Sequence, residues 1–225
     1  MLWWCYLASQ KDQTVEIVCW DVFKNVNPET SEFWSTLARD LLGQGLIDKE
    51  REYEEIRPWL HLLESVGHGT KKPAIRYWVM PMDVMARQAG EFDLIYSQAA
   101  IEHVWFVQRL WEVLCGVTAP AGYHSHRIDL ADHGRRDSNY IEMLQWSAWA
   151  YWLTQRFVPG AINRWRASDH LRMLERCDIR VLYQRRELRD SLPFALNRLA
   201  RKFRDYDDTE LRCTGLDLVA RKQSY

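Results

Sequence analysis

Glycine is scarce here: 10 residues of 225, about 4% where about 7% is usual. Such a chain has few places where its backbone can wrap closely around a phosphate. Charge of one sign is also missing. Thirty Lys and Arg stand against 31 Asp and Glu, a net charge of −1, so no global basic field recruits nucleic acid. No run reaches the roughly 18 uncharged apolar residues of a membrane span. The apolar start, Met1 to Gln10, has no basic segment ahead of it, which argues against a signal peptide. The five cysteines, Cys5, Cys19, Cys115, Cys177 and Cys213, are odd in number and widely spaced, and none forms a C-x-x-C pair. That excludes a disulfide framework or zinc ribbon and points to free thiols in a reducing, cytoplasmic compartment. What is present is a globular composition, 47% hydrophobic and 27% charged, with 12 tryptophans. A single domain of this length hides roughly 70–75% of the surface its unfolded chain exposes.

Residues 1–11 read as the end of a helix. Val15 to Trp20 reads as a short buried strand closed by Asp21. A polar turn over 25–29 leads to a helix over 30–45, with Phe33, Trp34, Leu37, Leu41 and Leu42 at helical spacing and Gly43 near its stop. A charged stretch covers 46–57, and a short helix over 61–66 ends at Gly67-His68-Gly69. Strands are expected over 74–80, near Met82-Asp83 at its end, and over 94–97. A helix is expected over 101–114, with Val104, Val107, Leu110, Trp111 and Leu114 on one face. A loop over 116–122 precedes a strand over 123–130. Residues 140–157 are aromatic-rich and helical, Ser168 caps a helix running to Arg176, and two strands over 178–183 and 215–220 close the chain. Alternating strands and helices followed by a strand pair describe an α/β chain with a doubly wound sheet and an antiparallel tail, in one domain over 1–225.

Three blocks carry a resemblance. The first is Val15-Glu16-Ile17-Val18-Cys19-Trp20-Asp21, a strand with an acid at its carboxyl end. The second is Phe92-Asp93-Leu94-Ile95-Tyr96-Ser97-Gln98-Ala99-Ala100-Ile101-Glu102-His103-Val104. The third is Leu110-Trp111-Glu112-Val113-Leu114, then Ala119-Pro120-Ala121-Gly122, then a strand. Together they resemble the class I S-adenosylmethionine-dependent methyltransferases, of Rossmann-like fold, with Pro120-Ala121-Gly122 where that family has Pro-Gly-Gly. In open α/β sheets ligands sit outside the carboxyl ends of the strands. The resemblance implies S-adenosylmethionine as cofactor. It places Asp21 on the ribose hydroxyls, Asp83 and Val84 near the adenine, Ser97 and Gln98 at the methionine part, and Glu102 and His103 just after them.

The family's glycine-rich loop is not found. It should lie about twenty residues before Asp21, by the nucleotide-fold spacing, and that count reaches Met1. Neither Gly43-Gln44-Gly45 nor Gly67-His68-Gly69 follows an expected strand and opens a helix. The expectation is that the first strand and its loop lie upstream of Met1. Then the neighbouring strands pair directly, or a second copy or partner chain covers the gap, or the gene starts earlier. On this reading the chain binds S-adenosylmethionine weakly or not at all.

The densest group of ligand-type side chains is His124-Ser125-His126-Arg127-Ile128-Asp129-Leu130-Ala131-Asp132-His133. Imidazole and carboxylate suit zinc or iron, which leaves a metal-dependent hydrolase as one alternative. On a strand His124, His126 and Ile128 share one face and Asp129 points to the other. By resemblance this segment faces the acceptor, with His126, Asp132 and His133 as acid/base or hydrogen-bonding groups and no metal. Trp146, Trp149 and Trp152 recur every three residues as one helical stripe, read as core or lid packing. As a surface, the stripe supports the other alternative, a non-catalytic methyltransferase-like interaction protein. The acceptor expected for an enzyme is a small molecule or a glycan-type substrate.

Overall fold

The computed structural model describes residues 16–21, 75–134, 139–155, 157–158 and 160–224. The elements expected over 1–11, 25–29, 30–45, 46–57 and 61–69 lie outside the described residues. The chain divides into two units, Met1–Pro81 and Met82–Tyr225.

In the first unit β1 (Ile17–Asp21) pairs in parallel with β2 (Ile75–Val79), Ile17 opposite Ile75 and Asp21 opposite Val79. Both strands fall within two residues of the apolar runs that predict them. The Trp20 indole donates to the Met80 carbonyl at 2.9 Å, which fixes the end of β1 beside that of β2.

The second unit is built on a four-stranded mixed sheet. Its elements in chain order are α1 (Met82–Met85), β3 (Phe92–Gln98), a 3-10 turn (Ile101–His103), α2 (Val107–Val117), β4 (Thr118–Asp129), a second 3-10 turn (Glu142–Gln145), α3 (Ala148–Gln155), α4 (Ala167–Arg176), β5 (Ile179–Leu188), two further 3-10 turns, α5 (Asp208–Arg212) and β6 (Cys213–Lys222). The strand order is β3-β4-β6-β5. β3 and β4 are parallel, and β6 runs antiparallel between β4 and β5. The expected α/β class with an antiparallel tail is therefore present in this unit.

β4 alternates in burial, with His124, His126 and Ile128 inward and Arg127 outward, as a half-buried strand should. On the outer face Arg127 stands opposite Asp217, and Asp217 opposite Arg185. Arg127 bonds Glu187 at 2.7 Å and Asp217 at 3.1 Å, and Arg185 bonds Asp217 at 2.6 Å. Arg127 of β4 and Arg185 of β5 are thus balanced by acids across the strands. α2 buries Val107, Leu110, Trp111 and Leu114, the stripe its spacing predicts. A second cluster, Tyr140, Ile141, Met143, Leu144, Tyr151, Ile162, Leu199, Phe203 and Leu211, fills the space under the long connections.

Several expectations are corrected. The helix expected over 101–114 is interrupted. Asn163 donates from its side chain to the Ile101 and Val104 carbonyls at 2.9 and 3.1 Å, holding a separate turn there, and α2 starts only at Val107. The segment 140–157 is two pieces, and Trp146 lies between them, not on one stripe with Trp149 and Trp152. All three tryptophans are exposed, Trp149 to 70%, so they are not core. Ser168 lies inside α4, and the cap position is Arg166, whose backbone N–H donates to Asp169 Oδ2 at 3.0 Å.

Of the expected loop over 116–122, Gly116 and Val117 end α2 and the rest is the start of β4. Its pairing with β3 jumps from Phe92–Thr118 to Leu94–Tyr123, so residues 119–122 bulge out of the ladder. Inside the bulge Ala121 has φ +62°, a left-handed conformation that disfavours any side chain. At Gly122 a Cβ would meet Thr118 Cγ2 at 2.8 Å and the Ala119 and Phe92 carbonyl oxygens at 2.9 and 3.0 Å. Ala121→Gly is expected to stabilise the fold by about 1 kcal/mol and Gly122→Ala to destabilise it by about 2 kcal/mol. Urea unfolding of the two variants checks the opposite signs.

Candidate functional site at the carboxyl ends of β3 and β4

Because β3 and β4 are parallel, their carboxyl ends lie on one edge of the sheet, with Ser97 opposite His126 and Gln98 opposite Arg127. The chain leaves β3 through Ala99 at φ +47°, a strained exit for a residue with a Cβ. The Ala99 N–H donates to the Arg127 carbonyl at 2.9 Å. The turn Ile101–His103 follows at once. It is held by Asn163, whose own N–H also donates to the Glu102 carbonyl at 2.6 Å.

Behind this edge runs a chain of hydrogen bonds whose direction can be derived. The Thr118 hydroxyl donates to the Leu114 carbonyl at 2.6 Å. It has one proton, so at 2.8 Å it must accept from His124 Nε2–H. His124 Nδ1 is then unprotonated and accepts, at 3.0 Å, from His126 Nε2–H. His126 Nδ1 in turn accepts from the Ser97 hydroxyl at 2.7 Å. Both imidazoles are buried and neutral. Burial pushes His124 down to about 4 and His126 well below the usual histidine value, with His124 and His170 adding repulsion at His126. The Trp111 indole donates to His170 Nδ1 at 3.0 Å, so His170 carries its proton on Nε2. Burial lowers His170 to about 3.

The consequence for Ser97 is chemical. Its one proton is committed inward, so toward a ligand the half-buried hydroxyl can only accept a hydrogen bond.

The remaining positions divide clearly. Asp21 closes β1 in the first unit. Asp83 and Val84 lie on α1, where Asp83 accepts from Arg109 at 2.8 Å and Val84 is exposed. The Gln98 amide oxygen accepts from the Tyr96 hydroxyl at 2.7 Å. Asp132 caps its own turn, taking the Gly134 N–H at 2.9 Å and the Met143 N–H at 3.1 Å. His133 is exposed and lies 3.3 Å from Asp129 Oδ2. Glu102 is buried, 1% exposed, whereas His103 beside it is exposed. The run His124–His133 is therefore split: His124 and His126 point into the core and bond each other, while Asp129 and His133 pair on the other side.

Sequence reasoning missed Thr118, which lies in the stretch read as a loop, and Arg166. The signal for His124 and His126 was the two-residue strand period. Nothing local announced Arg166. Its guanidinium is fully buried and donates to the Leu130, Glu210 and Leu211 carbonyls at 2.8, 3.1 and 3.5 Å, and also to the Cys213 carbonyl. The pair Asn163-Arg164 forms a loop-to-helix corner, with Arg164 donating to the Trp146 carbonyl at 2.6 Å and stacked over Tyr151.

Among the described residues no helix is long and apolar enough to cross a membrane. No protein-family profile and no curated protein matches the chain. Solved structures do. An S-adenosylmethionine-dependent methyltransferase from Methanosarcina mazei is 14% identical, with a TM-score of 0.50 over 97% of this chain and 86% of that one. An S-adenosylmethionine-dependent methyltransferase from Mesorhizobium loti is 18% identical, with a TM-score of 0.46 over 98% of this chain and 86% of that one. The first likeness extends over nearly the whole chain, and the mixed sheet agrees with it: this chain has the Rossmann-like fold of the class I S-adenosylmethionine-dependent methyltransferases.

Proposed function

We propose that residues 1–225 make one methyltransferase-like domain that takes S-adenosylmethionine at the carboxyl ends of β3 and β4 and acts on a small-molecule or glycan-type acceptor. The observation that carries this reading is the one-way hydrogen-bond chain ending at Ser97. A hydroxyl locked as an acceptor at a strand end suits the ammonium group of the cofactor's methionine part. Gln98 lies beside it, and Glu102 and His103 follow within one turn. Asp83 and Val84 enter as the adenine contacts, and Asp21 as the ribose contact, from the resemblance of their segments.

Methyl transfer asks little else of the protein. The sulfonium supplies the activated methyl group, and the chain must align the acceptor and remove its proton. His133 is the group placed for that proton. It is exposed, and Asp129 Oδ2 lies 3.3 Å away. His126 acts as a positioning residue for Ser97, and Asp132 holds the turn that carries His133. Affinity is low, because none of the ten glycines falls into a G-x-G-x-x-G pattern.

Calorimetric titration with S-adenosylmethionine tests the reading. Binding with a Kd of about 100 μM or weaker is expected, reduced about tenfold or more in Ser97→Ala, the loss of one charge-assisted hydrogen bond. A micromolar Kd overturns the low affinity. No saturable binding at millimolar cofactor overturns the cofactor site and favours the second reading, a non-catalytic interaction protein. The observation behind that second reading is the exposed apolar group of Trp149, Trp152, Leu153 and Phe157.

A further inference from the structure

Glu102, His103 and His133 come together from two connections that are 30 residues apart in the chain. One donor atom from each lies within 4.8 Å of those of the other two. The His103 and His133 rings meet edge to face with centroids 5.1 Å apart. His103 Nδ1 bonds the Ala161 carbonyl at 3.2 Å, and His133 Nε2 lies 3.3 Å from Asp129 Oδ2 in an ion-pair contact. The Ala161 carbonyl holds the His103 proton on Nδ1, so His103 Nε2 bears the lone pair. A backbone carbonyl on one histidine and a carboxylate on the other are the partners that metal-bound imidazoles use to set ring orientation and raise basicity. Asp129 Oδ1 accepts the Ala131 N–H at 3.0 Å, and the turn bearing Glu102 and His103 is held by Asn163.

We propose that Glu102, His103 and His133 form a site for a zinc-type divalent metal ion. Two imidazoles and one carboxylate are the three-protein-ligand set that leaves a fourth position open. Bonds of about 2.0–2.2 Å put tetrahedral donors about 3.4 Å apart. The two exposed imidazoles close the remaining distance by side-chain rotation toward the buried carboxylate. This inference needs no bound cofactor, and a metal on His133 takes up the lone pair that proton removal uses, so the metal-bound state is distinct from the methyl-transferring one and each is tested by its own titration.

The test is titration of the chelator-treated full chain with Co²⁺ and Zn²⁺, followed by calorimetry and, for Co²⁺, by visible absorption. The expected result is one equivalent bound with a Kd of about 10 μM or tighter and a cobalt spectrum without thiolate charge transfer. His103→Ala and His133→Ala should each weaken binding at least tenfold, and Asp129→Asn should weaken it through His133. His103 and His133 are exposed, so thermal unfolding of the apo forms of their variants should match the parent, whereas Zn²⁺ should raise the melting temperature of the parent alone. Absence of stoichiometric binding, retention of it in the His103→Ala/His133→Ala double variant, or a thiolate band overturns the proposal.

Discussion

Between pH 7 and pH 5 the chain is expected to lose about 2 kcal/mol of stability through each of His124 and His170, with His126 acting in the same direction. His124, His126 and His170 are buried and held neutral. The ordinary histidine value is 6.5, against about 4 for folded His124 and about 3 for folded His170, with burial the first cause in each case. The folded chain thus binds fewer protons than the unfolded one between these limits. The contribution is complete above pH 6.5, and it is lost progressively as pH falls toward the folded values. Each of His124 and His170 changes the unfolding constant up to tenfold per pH unit in this window. Urea unfolding at pH 7, 6 and 5, read by tryptophan fluorescence, measures the slope. His170→Met should remove about 2 kcal/mol of the loss, whatever its cost at neutral pH. Equal stabilities at pH 7 and pH 5 are the result that sinks the prediction, because the hydrogen-bond chain behind Ser97 requires neutral imidazoles.

Arg166→Met is expected to destabilise the fold by about 3–5 kcal/mol. The guanidinium joins the segment after β4, through the Leu130 carbonyl, to the entry of β6, through the Glu210, Leu211 and Cys213 carbonyls. Removing it takes this donor from the Leu130, Leu211 and Cys213 carbonyls in a dry interior, at up to about 1–3 kcal/mol each before relaxation, while the Glu210 carbonyl keeps the Cys213 N–H. Part of this is offset because the desolvated charge is also removed; burial already lowers the Arg166 pKa. Lysine should not rescue, since a point charge cannot span carbonyls that a planar fork reaches together. Unfolding of Arg166→Met and Arg166→Lys decides the matter. A loss under 1 kcal/mol in the methionine variant would show that the carbonyls find other partners.

The strands most legible in the sequence are β1, β2 and β3. Apolar runs such as Ile17-Val18-Cys19-Trp20 have a period and an end that do not depend on distant residues. The inward face of β4 was legible for the same reason, and it placed His124 and His126 together correctly. The start of β4 was not. Ala119-Pro120-Ala121-Gly122 has turn composition, and only its bulge against β3 makes it part of the ladder. The helix expected from Ile101 failed because its periodicity says nothing of Asn163, 62 residues beyond Ile101, whose amide fixes a tighter turn.

The candidate site divides along the same line. The sequence by itself determined the residue types at the strand ends: Ser97 and Gln98 after one strand, and Asp129, Asp132 and His133 after the next. It also determined the fold class, because alternating buried strands and helices fit few other architectures. Only the tertiary structure decided the state of those side chains. The direction of the Ser97 proton depends on Thr118, the dryness of His170 depends on Trp111 59 residues earlier, and the meeting of Glu102 with His133 depends on the parallel pairing of β3 and β4. Hydrogen-bond direction, desolvation and ligand convergence are properties of groups brought together across the chain, and no local pattern encodes them.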